Sequence, residues 1–315
     1  MQILKQGSYI NWVRRVDENT VCSEASLVEN GFEGSAAFFF SPETYRVKDA
    51  VWSIHHTSDP ERRGEGHIAE LTGLSVYADD REIAVRNLPD YSACTPYHLP
   101  PGGWIHPVAE KSSVKSEPDV ENISPEWKKI RELFNEAIRG AYQAEFYLLV
   151  ERGMNTLEEY EIMWESPERE NYCRPYTGNM PSIEDWPMHT GAIQHYRTRD
   201  LYNKYLHFSI MESEGEERVA IGSFHDSFHE MAAEIRFRRK DGVITGFDVQ
   251  ALRVPYEPCW SLDHEYQEDF LGKNVYEMKK RDLGKIVGGP MGCFHILDIA
   301  AALTAMAADV REAID

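Results

Sequence analysis

The sequence predicts an α+β fold in which two weakly similar, strand-rich halves, a possible tandem duplication, flank a helical insert and a last helix closes the chain. Three observations predict it. Runs rich in β-branched and aromatic residues lie on both sides of the middle. An apolar stripe of helical period begins at Ser124, and an alanine-rich apolar run ends the chain.

In the first half, residues 36–40 and 47–54 have strand composition. Residues 109–122 then read as a polar linker containing Pro118. A helix starts beyond it, with Ser124 as N-cap, Pro125 at the first helical position and Glu126 in the first turn. Trp127, Ile130, Leu133, Phe134, Ala137, Ile138, Ala141 and Tyr142 share one face of that helix, which is expected to run to about Val150 and stop at Gly153. Thr156 and Glu159 form a capping box for a short second helix, and residues 167–188 read as a long ordered loop. In the second half residues 232–237 alternate, Asp241-Gly242 is a hairpin turn signal, and 243–252 is the return strand. Residues 296–313 form a mostly buried helix.

The halves resemble each other in detail. Gly73 to Cys94 and Gly272 to Cys293 have the same separation of 21 positions, and Val76-Tyr77 within the first matches Val275-Tyr276 within the second. Upstream, Gly34-Ser35-Ala36-Ala37 parallels Glu230-Met231-Ala232-Ala233. The expected division is a degenerate N-terminal repeat over 1–108, a linker, helical insert and loop over 109–190, and a C-terminal repeat carrying the site over 191–315. On this reading the second copy keeps the polar residues that the first has lost.

A formal net charge of −20 argues against nucleic acid and anionic membranes as partners. No signal-peptide pattern and no stretch of transmembrane length is present, and five widely spaced cysteines read as reduced thiols, so a cytoplasmic protein is expected. A small-molecule substrate is the expected partner, and a homodimer is compatible with the sequence. No glycine-rich nucleotide loop occurs, so no nucleotide cofactor is expected. No Gly-x-Ser-x-Gly elbow occurs either, which weakens a serine hydrolase.

Ligand-type side chains recur in three motifs of the second half: residues 225–231 (HDSFHEM), 253–259 (RVPYEPC) and 288–298 (GGPMGCFHILD). In the third, glycines bring Cys293 and His295 to the start of a helix, whose free N–H groups favour a thiolate. Cys293 would then be a nucleophile or soft ligand and His295 its base or a second ligand. Asp298, one turn on, would orient the imidazole. The candidate catalytic residues are His229, Glu230, Cys293, His295 and Asp298. The candidate metal ligands are His229, Cys259, Cys293 and His295, with zinc or iron as the metal. No standard zinc spacing is present.

In this order the motif residues His229-Glu230-Met231, Pro255-Tyr256-Glu257-Pro258-Cys259, Leu271-Gly272 and Gly288 to Asp298 resemble a bacterial domain-of-unknown-function family, numbered 2889. The resemblance covers about residues 196–308. The last motif is the most specific, and Ile296 departs from the family's usual leucine. The resemblance implies that His229, Cys259, Cys293 and His295 form one recurrent pattern; it supplies no reaction. The function expected is a metal-dependent lyase or hydrolase acting on a small organic, aromatic or acyl, substrate. A metal-free Cys/His enzyme and a small-molecule binding protein are the alternatives.

Overall fold

A computed structural model describes residues 2–76, 85, 88, 123–148, 173–176, 200–212, 215–262 and 265–312. The linker at 109–122, the capping box at Thr156 and most of the 167–188 loop lie outside the described residues. The described part is α+β and rich in antiparallel strands. Two units are distinguished, residues 11–152 with 198–202, and residues 1–10, 153–197 and 203–315.

The first unit has strand order β5-β4-β3-β2-β1, with β1 at Gln2–Asp17, β2 at Thr20–Glu29, β3 at Phe32–Phe40, β4 at Val47–His56 and β5 at Asp59–His67. Helix α1 (Pro125–Ala144) covers β2, β3 and β4. Ser124 Oγ accepts the Trp127 N–H at 3.1 Å, so the N-cap read from the sequence is formed. The apolar stripe from Trp127 to Ala141 is buried, with Phe134 edge-on to Phe38 and Trp127 edge-on to Trp52, both pairs at 5.2 Å between centroids. Burial of each large side chain contributes roughly 1.5–3 kcal/mol. Regular α-helix ends at Ala144, and a 3-10 turn (Glu145–Leu148) follows. Rather than standing as an insert between two halves, α1 is the packing layer of the first unit, because its apolar face needs a sheet to cover.

The second unit has strand order β1-β6-β7-β8-β9, with β6 at Asp200–Glu212, β7 at Glu217–Asp226, β8 at Glu230–Arg238 and β9 at Ile244–Arg253. Short helices α2 (Glu257–Trp260), α3 (Gln267–Phe270) and α4 (Lys280–Val287) lead to α5 (Phe294–Glu312), which lies on β7 and β8. Inward positions alternate along the strands. They are Leu206, Phe208 and Ile210 on β6, Ala220 and Phe224 on β7, and Met231, Ala233, Ile235 and Phe237 on β8. Gly222 shares this face because a Cβ there would meet Ile299 Cγ2 of α5 at 2.6 Å. The face also carries three charges, Lys204 on β6 and Arg218 and Asp226 toward the two ends of β7, all buried.

Each unit closes its sheet with the same hydrogen bonds. In the first, Val47 N–H donates to Leu74 O, Gly73 N–H to Val47 O and Val76 N–H to Tyr45 O, all at 2.8 Å. In the second, Ile244 N–H donates to Lys273 O, Gly272 N–H to Ile244 O and Val275 N–H to Gly242 O, at 2.8, 3.0 and 2.8 Å. Tyr45 and Gly242 both have positive φ, 55° and 71°, and so do Gly73 and Gly272, 84° and 77°. The 73–76 and 272–275 match read from the sequence is therefore a match of local structure, while its Cys94 end lies outside the described residues. The upstream match is one residue out of register. The β2–β3 turn runs Glu29 to Phe32 and the β7–β8 turn Asp226 to His229, which pairs Glu33, not Gly34, with Glu230. A one-residue slip on a strand exchanges its faces. Among the described residues no helix is long and apolar enough to cross a membrane.

Candidate metal centre

The site is built at the tight turn that joins β7 to β8. Asp226 ends β7 on the inward face and is only 2% exposed. Its Oδ1 accepts the backbone N–H of Phe228 at 2.7 Å and of His229 at 2.6 Å. Asp226 N–H in turn donates to His229 O at 3.0 Å. Arg253, at the end of β9, holds the turn from outside. Its guanidinium donates to Asp226 O at 2.8 Å, Ser227 O at 3.1 Å and His229 O at 3.1 Å. A planar donor fork suits three carbonyls of one turn. The aspartate is thus anchored to the turn by two backbone N–H groups.

Two imidazoles meet the carboxylate. His229 Nδ1 lies 3.1 Å from Asp226 Oδ1 and 3.3 Å from Oδ2. His295, in the first turn of α5, brings its Nε2 within 4.0 Å of Oδ2. The two rings are 3.9 Å apart, and Phe224 supports His295 at 4.6 Å. One ligand atom each from Asp226, His229 and His295 lies within 4.8 Å of the others. Metal–ligand bonds of about 2.0–2.2 Å would require these donors to draw closer together than this.

Protonation suits the same use. Burial, then the neighbouring His229, pull His295 down to about 3 against the opposing charge of Asp226 and Asp298, so its imidazole is neutral. Burial alone would raise Asp226; the hydrogen bond and charge of His229, the charge of His295 and the Phe228 N–H outweigh it and hold the carboxyl well below its usual range. The Asp226 carboxylate and the His295 imidazole are thus both in the form that a metal ligand takes.

Of the residues singled out from the sequence, His229 and His295 are brought together and Cys293 adjoins them. Cys293 Sγ lies 3.8 Å from His295 Nδ1, on the side of the ring opposite the carboxylate. The thiolate expected at this helix start is not what the surroundings favour. Burial pushes the Cys293 thiol up to about 11, against the N–H groups of Ile296 and His295 that favour ionisation. Cys259 on α2 is buried, pushed up to about 12 by burial and then by Cys293, and it is not in the three-ligand cluster. Glu230 follows the turn on β8 with its side chain half exposed, 4.0 Å from His225 on the outer side. Asp298, expected to orient His295, meets two ammoniums. It is buried between Lys280 Nζ at 3.1 Å and Lys204 Nζ at 3.5 Å.

The sequence reading missed Asp226 and Arg174. The signal for Asp226 was an acidic residue three before a histidine, at the corner of a hairpin whose turn N–H groups it can accept. Arg174 donates to Met291 O at 2.9 and 2.6 Å, Ser261 Oγ at 2.8 Å and Glu265 Oε1 at 2.7 Å. It thereby fixes the glycine-rich turn from which α5 departs. No local signal in the sequence pairs it with that turn.

No curated protein and no solved structure matches the chain. Residues 211–309, the C-terminal third that contains Asp226, His229, Arg253, Cys259, Cys293 and His295, match the model of the family described as protein of unknown function (DUF2889).

Proposed function

We propose that the chain is a divalent-metal-dependent lyase or hydrolase acting on a small organic substrate, with Asp226, His229 and His295 as the protein ligands. The convergence of one backbone-anchored carboxylate and two stacked imidazoles carries the reading. Two nitrogens and one oxygen suit zinc or ferrous iron, and three protein ligands leave positions for water and substrate. A metal there would supply Lewis acidity or a water of lowered pKa. His295 Nδ1–H would donate to Cys293 Sγ, which fixes the tautomer that turns Nε2 to the ion.

The first unit supports a cation at this point of the fold. At its β2–β3 turn Glu29 occupies the place of Asp226 and Phe32 that of His229. Its covering helix supplies Lys129, whose ammonium is paired with Glu29 and stands 4.5 Å over the Phe32 ring. One turn carries its own cation; the other carries ligands. We read the two units as tandem copies of one fold on this ground and on their shared closing hydrogen bonds.

A second reading, a metal-free thiol enzyme, draws on the line Cys293 Sγ, His295 Nδ1, His295 Nε2, Asp226 Oδ2. The test is elemental analysis of untagged protein together with His295→Ala, Asp226→Asn and Cys293→Ala. One metal per chain, lost in the first two and kept in the third, is the expected result. A folded wild type without metal, whose Cys293 alone reacts with iodoacetamide at neutral pH, overturns the metal reading in favour of the thiol.

A further inference from the structure

The end of β7 away from the candidate metal centre holds a buried guanidinium whose bonding is incomplete. The inward positions of β7 are Arg218, Ala220, Gly222, Phe224 and Asp226, so Arg218 and Asp226 share a face. Eight residues of strand separate them, about 26 Å at roughly 3.3 Å per residue. Arg218 lies in register with Glu212 on β6 and Phe237 on β8, and its side chain is 3% exposed.

A guanidinium stays charged and carries five N–H donors. Among the described residues, Nε and Nη1 of Arg218 have no hydrogen-bond partner. Nη2 stands 3.6 Å from Glu212 Oε1, longer than a hydrogen bond. The same carboxylate oxygen lies 3.1 Å from Nη1 of Arg239, just beyond β8, yet it too is buried without a hydrogen bond. Two guanidiniums therefore share one oxygen that bonds well to neither. Buried donors left this way in a native fold call for an ion or another partner that supplies acceptors.

The surroundings hold the two arginines in place. The backbone of Arg239 is fixed by its N–H to Glu216 O at 2.8 Å and by Tyr276 Oη, which donates to Arg239 O at 2.9 Å. The Tyr276 ring packs edge-on against Phe237, the cross-strand neighbour of Arg218. Side-chain exposure rises from 3% at Arg218 through 26% at Glu212 to 48% at Arg239, so Glu212 lies between the buried guanidinium and the exposed one. A carboxylate offers two oxygens in one plane. A phosphate offers at least three in different directions, with close to two charges, and can bond both guanidiniums at once.

We propose that Arg218 and Arg239 form a binding site for a phosphate group, free or as a monoester, in which Glu212 is the internal anion that the ligand displaces. The site uses none of the three metal ligands and stands apart from the metal reading. In a chain of net charge −20 an anion gains nothing from the overall field, so these local donors have to supply its affinity.

The experiment titrates inorganic phosphate, and separately phenyl phosphate, into the full-length protein by calorimetry. The buffer is stripped of metal on a chelating resin, which keeps phosphate off any ion at Asp226. Wild type is expected to bind one phosphate per chain. Glu212→Gln should bind it at least threefold more tightly, because the displaced group no longer carries charge, and Arg218→Met at least tenfold more weakly. The tighter of the two probes identifies the free ion or the ester as the ligand. In phosphate-free buffer Arg218→Met should unfold no earlier than wild type, since an apolar side chain replaces an unbonded buried charge. Added phosphate should raise the thermal midpoint of wild type and Glu212→Gln but not of Arg218→Met. Equal phosphate binding by wild type and a folded Arg218→Met overturns the proposal, as does the absence of binding in both wild type and Glu212→Gln. An Arg218→Met that unfolds much earlier, together with a phosphate-insensitive midpoint in Glu212→Gln, makes the arginine structural and overturns it too.

Discussion

Gly222→Ala tests whether the approach of α5 to β7 sets the site. The new Cβ would stand 2.6 Å from Ile299 Cγ2 and 3.4 Å from Leu303, so α5 has to withdraw by about 0.8 Å to restore ordinary contact. Overpacking of a well-filled core costs about 1–3 kcal/mol. The effect reaches the site because Gly222 lies four residues before Asp226 on the same face of β7, while Ile299 lies four residues after His295 on α5. Moving the helix out lengthens the 4.0 Å gap between His295 Nε2 and Asp226 Oδ2, a leg of the cluster that would contract around an ion on the metal reading. Urea unfolding with the slope unchanged should give the stability loss, and competition with a fluorescent chelator should give at least a tenfold weaker metal affinity. Ile299→Ala removes the obstructing methyl at its own cavity cost. In the double variant Gly222→Ala/Ile299→Ala the two losses should be less than additive by about 1 kcal/mol, with metal affinity partly restored. Additive losses, or a destabilised Gly222→Ala with unchanged metal affinity, would refute the coupling of helix seat to site.

Other expectations follow from the same geometry. Asp226→Ala strands the N–H groups of Phe228 and His229, at about 1–3 kcal/mol for the buried group, whereas Asp226→Asn can still accept them and should unfold nearer to wild type; urea titration of both compares the costs, and both should lose the metal. Arg253→Lys replaces a fork on three carbonyls by a single ammonium and should cost about 1.5–3 kcal/mol, read by thermal unfolding, without removing any ligand. In chelator-treated protein His295 binds its proton less readily folded than unfolded, because burial lowers it from 6.5 to about 3. The unfolded state therefore holds more protons between those values, and stability should fall as pH drops from 6.5 toward 3, with a slope of up to about 1.4 kcal/mol per unit from this group. His295→Gln should flatten that part of the pH profile, and an unchanged slope would remove the burial argument.

What the sequence made legible is what local chemistry dictates. The strands at 36–40, 47–54, 232–237 and 243–252, the Ser124 cap, the Asp241-Gly242 turn and the last helix all have signals within a few residues, and all lie in the structure. Strand β1 escaped because its run QILKQGSYINWVRRVD mixes charges and amides with apolar residues. Strand β7 escaped because Gly222 and the polar end Phe224-His225-Asp226 interrupt its alternation. Both irregularities have causes only tertiary structure reveals: Gly222 makes room for a helix about 80 residues later in the chain, and Asp226 is turned inward to meet two histidines. The histidines were legible through motif order. The aspartate was not, since its role depends on turn N–H groups that no side-chain spacing displays. Glu230 was chosen in its place, but the residue after the turn alternates to the opposite face.

The comparison of the two turns shows how the same corner is filled differently in the two units. Glu29, Phe32 and Lys129 satisfy one another: the ammonium neutralises the carboxylate and lies against the ring. A covalently attached cation has no coordination position to exchange, so water and substrate cannot enter. With Asp226, His229 and His295 the corner instead offers three donors and no side-chain ammonium among them. Its shorter carboxylate is drawn back onto the turn N–H groups, which keeps it at the hairpin corner rather than reaching across the helix. The neighbouring lysine, Lys204, comes from the adjacent strand, stands over the Phe224 ring and pairs with Asp298. On the metal reading, a corner with two imidazoles where the other has a built-in ammonium gains a place for an exchangeable ion. That exchange of an ammonium for imidazoles is what distinguishes the second corner from the first.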